Sequence, residues 1–237
     1  SYAVSEALLT LTEVVDLTRR LTLRSELGII VDGGVGFGDA VHVARAIWEI
    51  EQAGAAAIEL EDQVAPKRVS HHRGIEHLVD QATMCAKIDQ AAAARRSDDF
   101  LIIARTGAVK NESFEAALAR LKAYRKAGAD VLMLMPEDEE QLRRARAELD
   151  APLATITSLD ARSAESWAEL GWNLVIDPFT AQVLAFDAVR AAYEQFQRTG
   201  QTGADLSRVF QTYRELPEMA GLEALYAIED ATTEKPD

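Results

Sequence analysis

Six short apolar runs alternate with six amphipathic segments along most of this chain, and few folds accommodate that rhythm. The runs cover residues 28–31, 56–60, 100–104, 131–135, 153–156 and 174–176. The segments between and after them cover 40–52, 74–94, 113–126, 138–149, 163–170 and 181–198. Strands that alternate with helices of this length form βαβ units around a parallel sheet. Gln52-Ala-Gly54, Lys126-Ala-Gly128 and Glu169-Leu-Gly171 each place a glycine where a helix must stop before the next strand. At 237 residues the chain suits one large domain, and 48% hydrophobic content is ample for its core.

The unit count predicts the fold class. A further helix at 11–21 opens the chain, and a helix placed first implies a strand before it, with Ser1–Val4 as its tail. The expectation is a (β/α)8 barrel whose N-terminal unit is missing from this sequence. The competing architecture is an open doubly wound sheet, which six strands would fill. Residues 1–237 are read as a single domain: a barrel core over 1–198, two helices within 203–228 and a polar tail at 229–237.

Composition excludes several functions. A net charge of −14 argues against nucleic acid, because a polyanion needs a basic surface. No apolar run approaches the roughly 18 residues of a membrane helix. The single Cys85 fits a reducing cytoplasm and reads as packing beside Met84. Trp48, Trp167 and Trp172 read as packing too.

In both architectures ligands sit at the C-terminal ends of parallel strands. The residues to weigh there are Asp32, then Glu59, Glu61 and Asp62, then Arg105, then Thr155, Thr157 and Asp177. Asp32 and Glu61 are the best metal candidates, since Mg2+ takes oxygen ligands and often only one or two carboxylates. The plainer alternative is that these acids cap helices or pair with Arg or Lys. Arg105 follows four apolar residues, and its planar guanidinium suits a carboxylate or phosphate. Its plainer alternative is a salt bridge to Glu59 or Glu61. Gly33-Gly-Val-Gly-Phe-Gly38 lacks dinucleotide-loop spacing and fits close backbone passage by a small ligand. Lys67, Arg68, His71, His72 and Arg73 leave the strand that carries the acids, as a loop closing cations over an anionic substrate would. The plainer alternative is a solvated loop.

Three motifs in order carry a family resemblance. Asp32-Gly-Gly-Val-Gly-Phe-Gly38 is similar to D-A-D-T-G-Y-G. Glu61-Asp-Gln-Val-Ala-Pro-Lys-Arg-Val-Ser-His71 is similar to E-D-Q-x-x-P-K-R-C-G-H, and Ile103-Ala-Arg-Thr-Gly-Ala108 to I-A-R-T-D-A. Over residues 1–198 the chain resembles the isocitrate lyase and phosphoenolpyruvate mutase superfamily. The resemblance implies an α/β barrel whose C-terminal helix is swapped in a homodimer or homotetramer. It implies Mg2+, with Mn2+ as an alternative, and a small 2-oxo or 2-hydroxy acid. Carried over by position, Asp32 and Glu61 hold the metal and Lys67 lies in the gating loop. Arg105 holds the substrate anion, and the backbone around Tyr2 and Ala3 binds its oxyanion.

The departures bear on the reaction. Gly34 replaces the second aspartate of the first motif, and Gly107 replaces the aspartate of R-T-D. Val69 replaces the lyase cysteine, which protonates the departing enolate. The mutase loop K-x-N-S loses its asparagine to Val69 and keeps its serine as Ser70. The family's G-x-P-D-x-G segment is absent between Leu9 and Leu11, and Thr155-Ile-Thr-Ser158 replaces N-M-T-E. The expected activity is Mg2+-dependent making or breaking of a C–C or P–C bond next to a 2-oxo acid through an enolate. A 2-hydroxy-diacid lyase leads, with His71 or His72 as substitute acid. A phosphoenolpyruvate mutase or related phosphonate enzyme is the close alternative. A non-catalytic anion-binding barrel and a nucleotide-dependent oxidoreductase are the more distant ones.

Overall fold

A computed structural model describes residues 5–74 and 76–233. The alternation read from the sequence becomes a single parallel sheet of six strands. These are β1 (Ile30–Asp32), β2 (Ala57–Glu61), β3 (Leu101–Arg105), β4 (Val131–Met133), β5 (Leu153–Ile156) and β6 (Leu174–Ile176). The helices are α1 (Leu11–Thr22), α2 (Ala40–Gln52), α3 (Gln81–Ala94), α4 (Ala108–Asn111), α5 (Phe114–Lys126), α6 (Glu139–Glu148), α7 (Ala164–Glu169), α8 (Thr180–Thr199), α9 (Leu206–Met219) and α10 (Leu222–Thr232).

The strand order is β1-β2-β3-β4-β5-β6. A doubly wound sheet reverses direction at a switch point, so this unbroken order removes that alternative. It is the winding of a barrel. The expected α/β class and parallel, barrel-like sheet hold. Among the described residues six strands form a curled, barrel-like sheet in which β1 and β6 do not pair. The strand tail expected at Ser1–Val4 lies outside the described residues.

Local chemistry sets the element boundaries. Thr10 and Glu13 form a reciprocal capping box at the start of α1, and Asp39 caps α2. Gly54, Gly128 and Gly171 all have positive φ just after α2, α5 and α7, as the breaks predicted. The helix expected over 74–94 is shorter. A 3-10 turn, Val69–Arg73, ends at Gly74, and α3 starts only after Asp80, whose carboxylate accepts from Thr83 N at 2.8 Å. Before α3, Leu78 passes beside the end of β2, where Gln63 bridges to it.

Each strand has two faces, because successive side chains alternate. Ile58, Leu60, Ile102, Ala104 and Leu132 join the helices in the large core. Ala57, Ile103, Val131, Met133 and Ala154 pack on the other face in a second cluster. Trp167 and Trp172 are buried in the large core, whereas Trp48 is half exposed, contrary to its reading as packing.

The chain divides into two compact units, Ser1–Pro178 and Phe179–Asp237. The second contains α8, α9 and α10, none with a buried residue. Val183, Leu184, Phe186, Val189, Tyr193 and Phe196 of α8 are all exposed in the single chain.

Candidate active site

The parallel register places the charged residues. Asp32 on β1 pairs with Glu59 on β2, and Glu61 pairs with Arg105 on β3. Residues 57, 59 and 61 share a face, so Glu59 and Glu61 continue the inner cluster out to the strand ends. Gly33 follows Asp32, and a Cβ there would lie 2.8 Å from the Glu59 carbonyl oxygen and 2.7 Å from Ile58. That close approach requires glycine and brings the loop carrying Asp32 over β2.

The carboxylates are crowded, and Glu59 is poorly satisfied. Glu59 and Glu61 are 4% and 2% exposed. Glu59 Oε1 has no hydrogen-bond partner among the described residues, and Oε2 lies 3.8 Å from Arg105 Nη1. Glu61 Oε2 accepts from Gln63 Nε2 at 3.0 Å and lies 3.5 Å from Arg105 Nη1. Glu61 Oε1 is 2.6 Å from Lys67 Nζ. Burial first, and then the neighbouring Asp32 carboxylate, push the Glu59 carboxyl well above the usual range, against the pull of Arg105. Three crowded acids with one unpartnered oxygen form a cradle, a donor set that would suit a hard divalent cation. Asp32, Glu59 and Glu61 therefore fit Mg2+.

Two cations border the cradle. Burial works against the charge on Arg105, but Glu59, Glu61, Asp32 and Glu76 together hold it more firmly protonated than usual. Its pairs with Glu59 and Glu61 are loose. Among the described residues its guanidinium makes no hydrogen bond shorter than these contacts, so its donors remain for a planar anion. Lys67 is likewise raised, because Glu61 outweighs the burial of its side chain. The 3-10 turn after Lys67 carries Ser70 and His71. His71 Nε2 contacts Glu6 Oε1, and His71 Nδ1 lies 2.8 Å from the Arg68 carbonyl oxygen.

Asp62 departs from the expected set. It is fully buried on the helix-facing side and accepts from Thr106 Oγ1 at 2.6 Å, Gly107 N at 3.0 Å and Tyr124 Oη at 2.8 Å. Arg120 Nη1 adds an ion pair at 3.3 Å. Burial and Asp62 raise the Tyr124 phenol, so it stays a donor. Asp62 thus anchors the end of β3 to α5.

Other residues fall where sequence reading did not look. Glu76 Oε2 sits over the α-carbon of Gly107, where a side chain at that position would begin, and accepts from Asn111 Nδ2 at 2.8 Å. A carboxylate from the loop between β2 and α3 thus fills the space where a side chain at position 107 would begin. Glu6 was also unforeseen. Tyr2 and Ala3 lie outside the described residues. Ser70 is half-buried. Asp177 accepts from Leu159 N at 3.1 Å, and Thr155 is buried.

The profile of the phosphoenolpyruvate phosphomutase family matches residues 3–197. The chain belongs to the phosphoenolpyruvate mutase/isocitrate lyase superfamily. Superfamily relatives include a probable 2-methylisocitrate lyase of Corynebacterium glutamicum, 37% identical over 208 residues, which span 85% of this chain and 68% of that protein. A 2,3-dimethylmalate lyase of Eubacterium barkeri is 34% identical over 230 residues, 94% of this chain and 78% of that protein. A solved 2,3-dimethylmalate lyase superposes with a TM-score of 0.85 at 30% identity, over 96% of this chain and 77% of that one. A phosphonopyruvate hydrolase solved with oxalate and Mg2+ superposes with a TM-score of 0.84 at 28% identity, over 99% and 83%. These homologues are enzymes, and C–C lyases recur among those most similar in sequence, as the sequence reading expected.

Proposed function

We propose that this chain is a Mg2+-dependent lyase that cleaves a 2-hydroxy diacid into a 2-oxo acid and a second carboxylic acid. The observation that carries this reading is the crowding of Asp32, Glu59 and Glu61 around an unpartnered buried oxygen, beside Arg105 and Lys67. Mg2+ held by those acids would supply positive charge against the substrate's oxygens. Arg105 binds a substrate carboxylate through its planar fork. A base removes the 2-hydroxyl proton, the C2–C3 bond breaks, and C2 becomes the carbonyl carbon of the 2-oxo acid. The electron pair leaves with the other fragment as an enolate, which must gain a proton. With valine at position 69, His71 is the candidate donor in the loop, held by Arg68 O and Glu6. Lys67 closes cationic charge over the site, and Ser70 lines it. The family resemblance assigns the oxyanion contacts to the backbone at Tyr2 and Ala3, which lie outside the described residues.

Calorimetric titration of oxalate with and without Mg2+ tests the site. Metal-dependent binding followed by release of a 2-oxo acid from 2,3-dimethylmalate or 2-methylisocitrate supports the lyase. Turnover of phosphonopyruvate instead would select the phosphonate chemistry, for which Ser70 is the local argument. No oxalate binding in either condition would make this a non-catalytic barrel. The apolar exposure of α8 supports assembly as a homodimer or homotetramer by exchange of C-terminal helices, checked by light scattering. A lone cysteine supports a cytoplasmic location, and no described helix is long and apolar enough to cross a membrane.

A further inference from the structure

Position 107 is glycine for a reason of space, not of backbone. Its φ of −87° and ψ of 5° are angles that residues with side chains also adopt in turns. A Cβ there, however, would collide with Glu76 Oε2. Asn111 Nδ2 donates to that oxygen and to the Gly107 carbonyl oxygen, each at 2.8 Å, and so ties the acid to the end of β3. Glu76 is half-buried, and among the described residues it makes no ion pair.

A half-buried carboxylate held by one amide is poorly compensated unless a nearby cation benefits from its charge. Arg105 lies two residues before Gly107 on the same strand end. Burial works against the Arg105 charge, and Glu59, Glu61, Asp32 and Glu76 favour it. The first three of these acids form the cradle. A cation bound there would draw on their charge and slacken their hold on a guanidinium that already stands 3.5–3.8 Å from Glu59 and Glu61. Glu76 lies outside the cradle and would keep its hold.

We propose that Glu76 is a positioning residue for substrate binding: set in the space that Gly107 leaves open, its carboxylate keeps the Arg105 guanidinium aimed at the substrate anion while the cradle acids are engaged. Arg105 is taken as the anion-binding group, so this role of Glu76 rests on the lyase reading. The sign of the effect is distinctive. A negative charge that merely sat near the site would repel an anion, and its removal would tighten binding. A carboxylate that aims Arg105 does the opposite.

The test uses the full chain and two variants that leave the cradle and Arg105 in place. Glu76→Gln removes the charge and keeps an acceptor for Asn111. Gly107→Ala keeps the charge and pushes the carboxylate aside. Each should weaken Mg2+-dependent oxalate binding about tenfold, and Glu76→Gln should change it less than about twofold once Arg105→Lys is present. A ligand-free readout is the 15N NMR signal of Arg105 Nε–H, identified by its loss in Arg105→Lys and recorded with and without Mg2+. Glu76→Gln should shift it in both conditions, and more with Mg2+. Circular dichroism checks that each variant folds. Failure of the parent to bind oxalate would sink the lyase reading, and the NMR shift would still decide whether Glu76 holds Arg105. Tighter or unchanged oxalate binding in Glu76→Gln overturns the proposal. So does an equal loss in the Arg105→Lys background, which would make Glu76 a support for the loop alone, and so does an unmoved Arg105 signal.

Discussion

Glu61 and Asp62 are neighbours in sequence, yet they belong to two carboxylate clusters of opposite character. Asp62 receives hydrogen bonds from Thr106, Gly107 and Tyr124 and an ion pair from Arg120, on the side of β2 that faces the helices. Glu61, with Glu59 and Asp32, points to the other side, where Glu59 keeps an unpartnered oxygen and Arg105 stands off at 3.5–3.8 Å. Glu59, Glu61 and Asp62 are all buried, with Asp32 exposed at the rim, and both clusters contain arginine. Satisfaction separates them. A buried carboxylate with every donor in place holds the fold together, whereas carboxylates crowded together and short of donors are arranged for something that arrives later.

The contrast breaks most sharply at Asp62. Asp62→Ala leaves Arg120 and Tyr124 Oη without their acceptor and should cost about 3–5 kcal/mol in denaturant unfolding. A loss below about 1 kcal/mol would show that the network is not structural. At the other cluster, Asp32→Ala should leave the unfolding midpoint within about 0.5 kcal/mol of the parent and remove Mg2+-dependent oxalate binding, a drop beyond roughly 100-fold. Oxalate affinity equal to the parent's would take Asp32 out of the metal site. Arg105→Lys keeps the charge but loses the fork, so oxalate should bind about tenfold more weakly. Equal affinity would make Arg105 purely a partner for Glu59 and Glu61.

The finest distinction lies in pH. The folded state raises the pKa of Glu59 and so binds its proton more tightly than the unfolded chain. Stability from this group is fully present below the ordinary value of 4.5 and declines as pH rises from there toward the folded value. Glu59→Gln should flatten that decline in metal-free protein, and Mg2+ should flatten it in the parent. Melting temperatures across the acid-to-neutral range that superimpose for parent and Glu59→Gln would mean that the crowding has no energetic weight.

The sheet and its acids were legible because their signals are local. Six apolar runs with glycine breaks require no knowledge of distant residues, and acids and bases at run ends mark strand termini. Closure of such a sheet depends on pairing between remote edges, for which no local run carries a signal. Parity within β2 was available but unused. Residues 58, 60 and 62 must share a face, which separates Asp62 from Glu59 and Glu61 without coordinates. Glu6 and Glu76 carried no signal of that kind. Each reaches its place through a loop, and neither periodicity nor strand position says which acid will fill the space over Gly107.

The alternation in β2 also acts as a reading frame. Exchanging a side chain in this strand changes one group, but inserting or deleting one residue moves every later side chain to the opposite face. Such a slip would send the network-holding aspartate into the cradle and a cradle acid into the core, losing scaffold and chemistry together. Lineages descended from this ancestor should therefore keep the length of β2 fixed. New specificities would come from the loops that leave it, where Val69 and Ser70 already differ from the family motif.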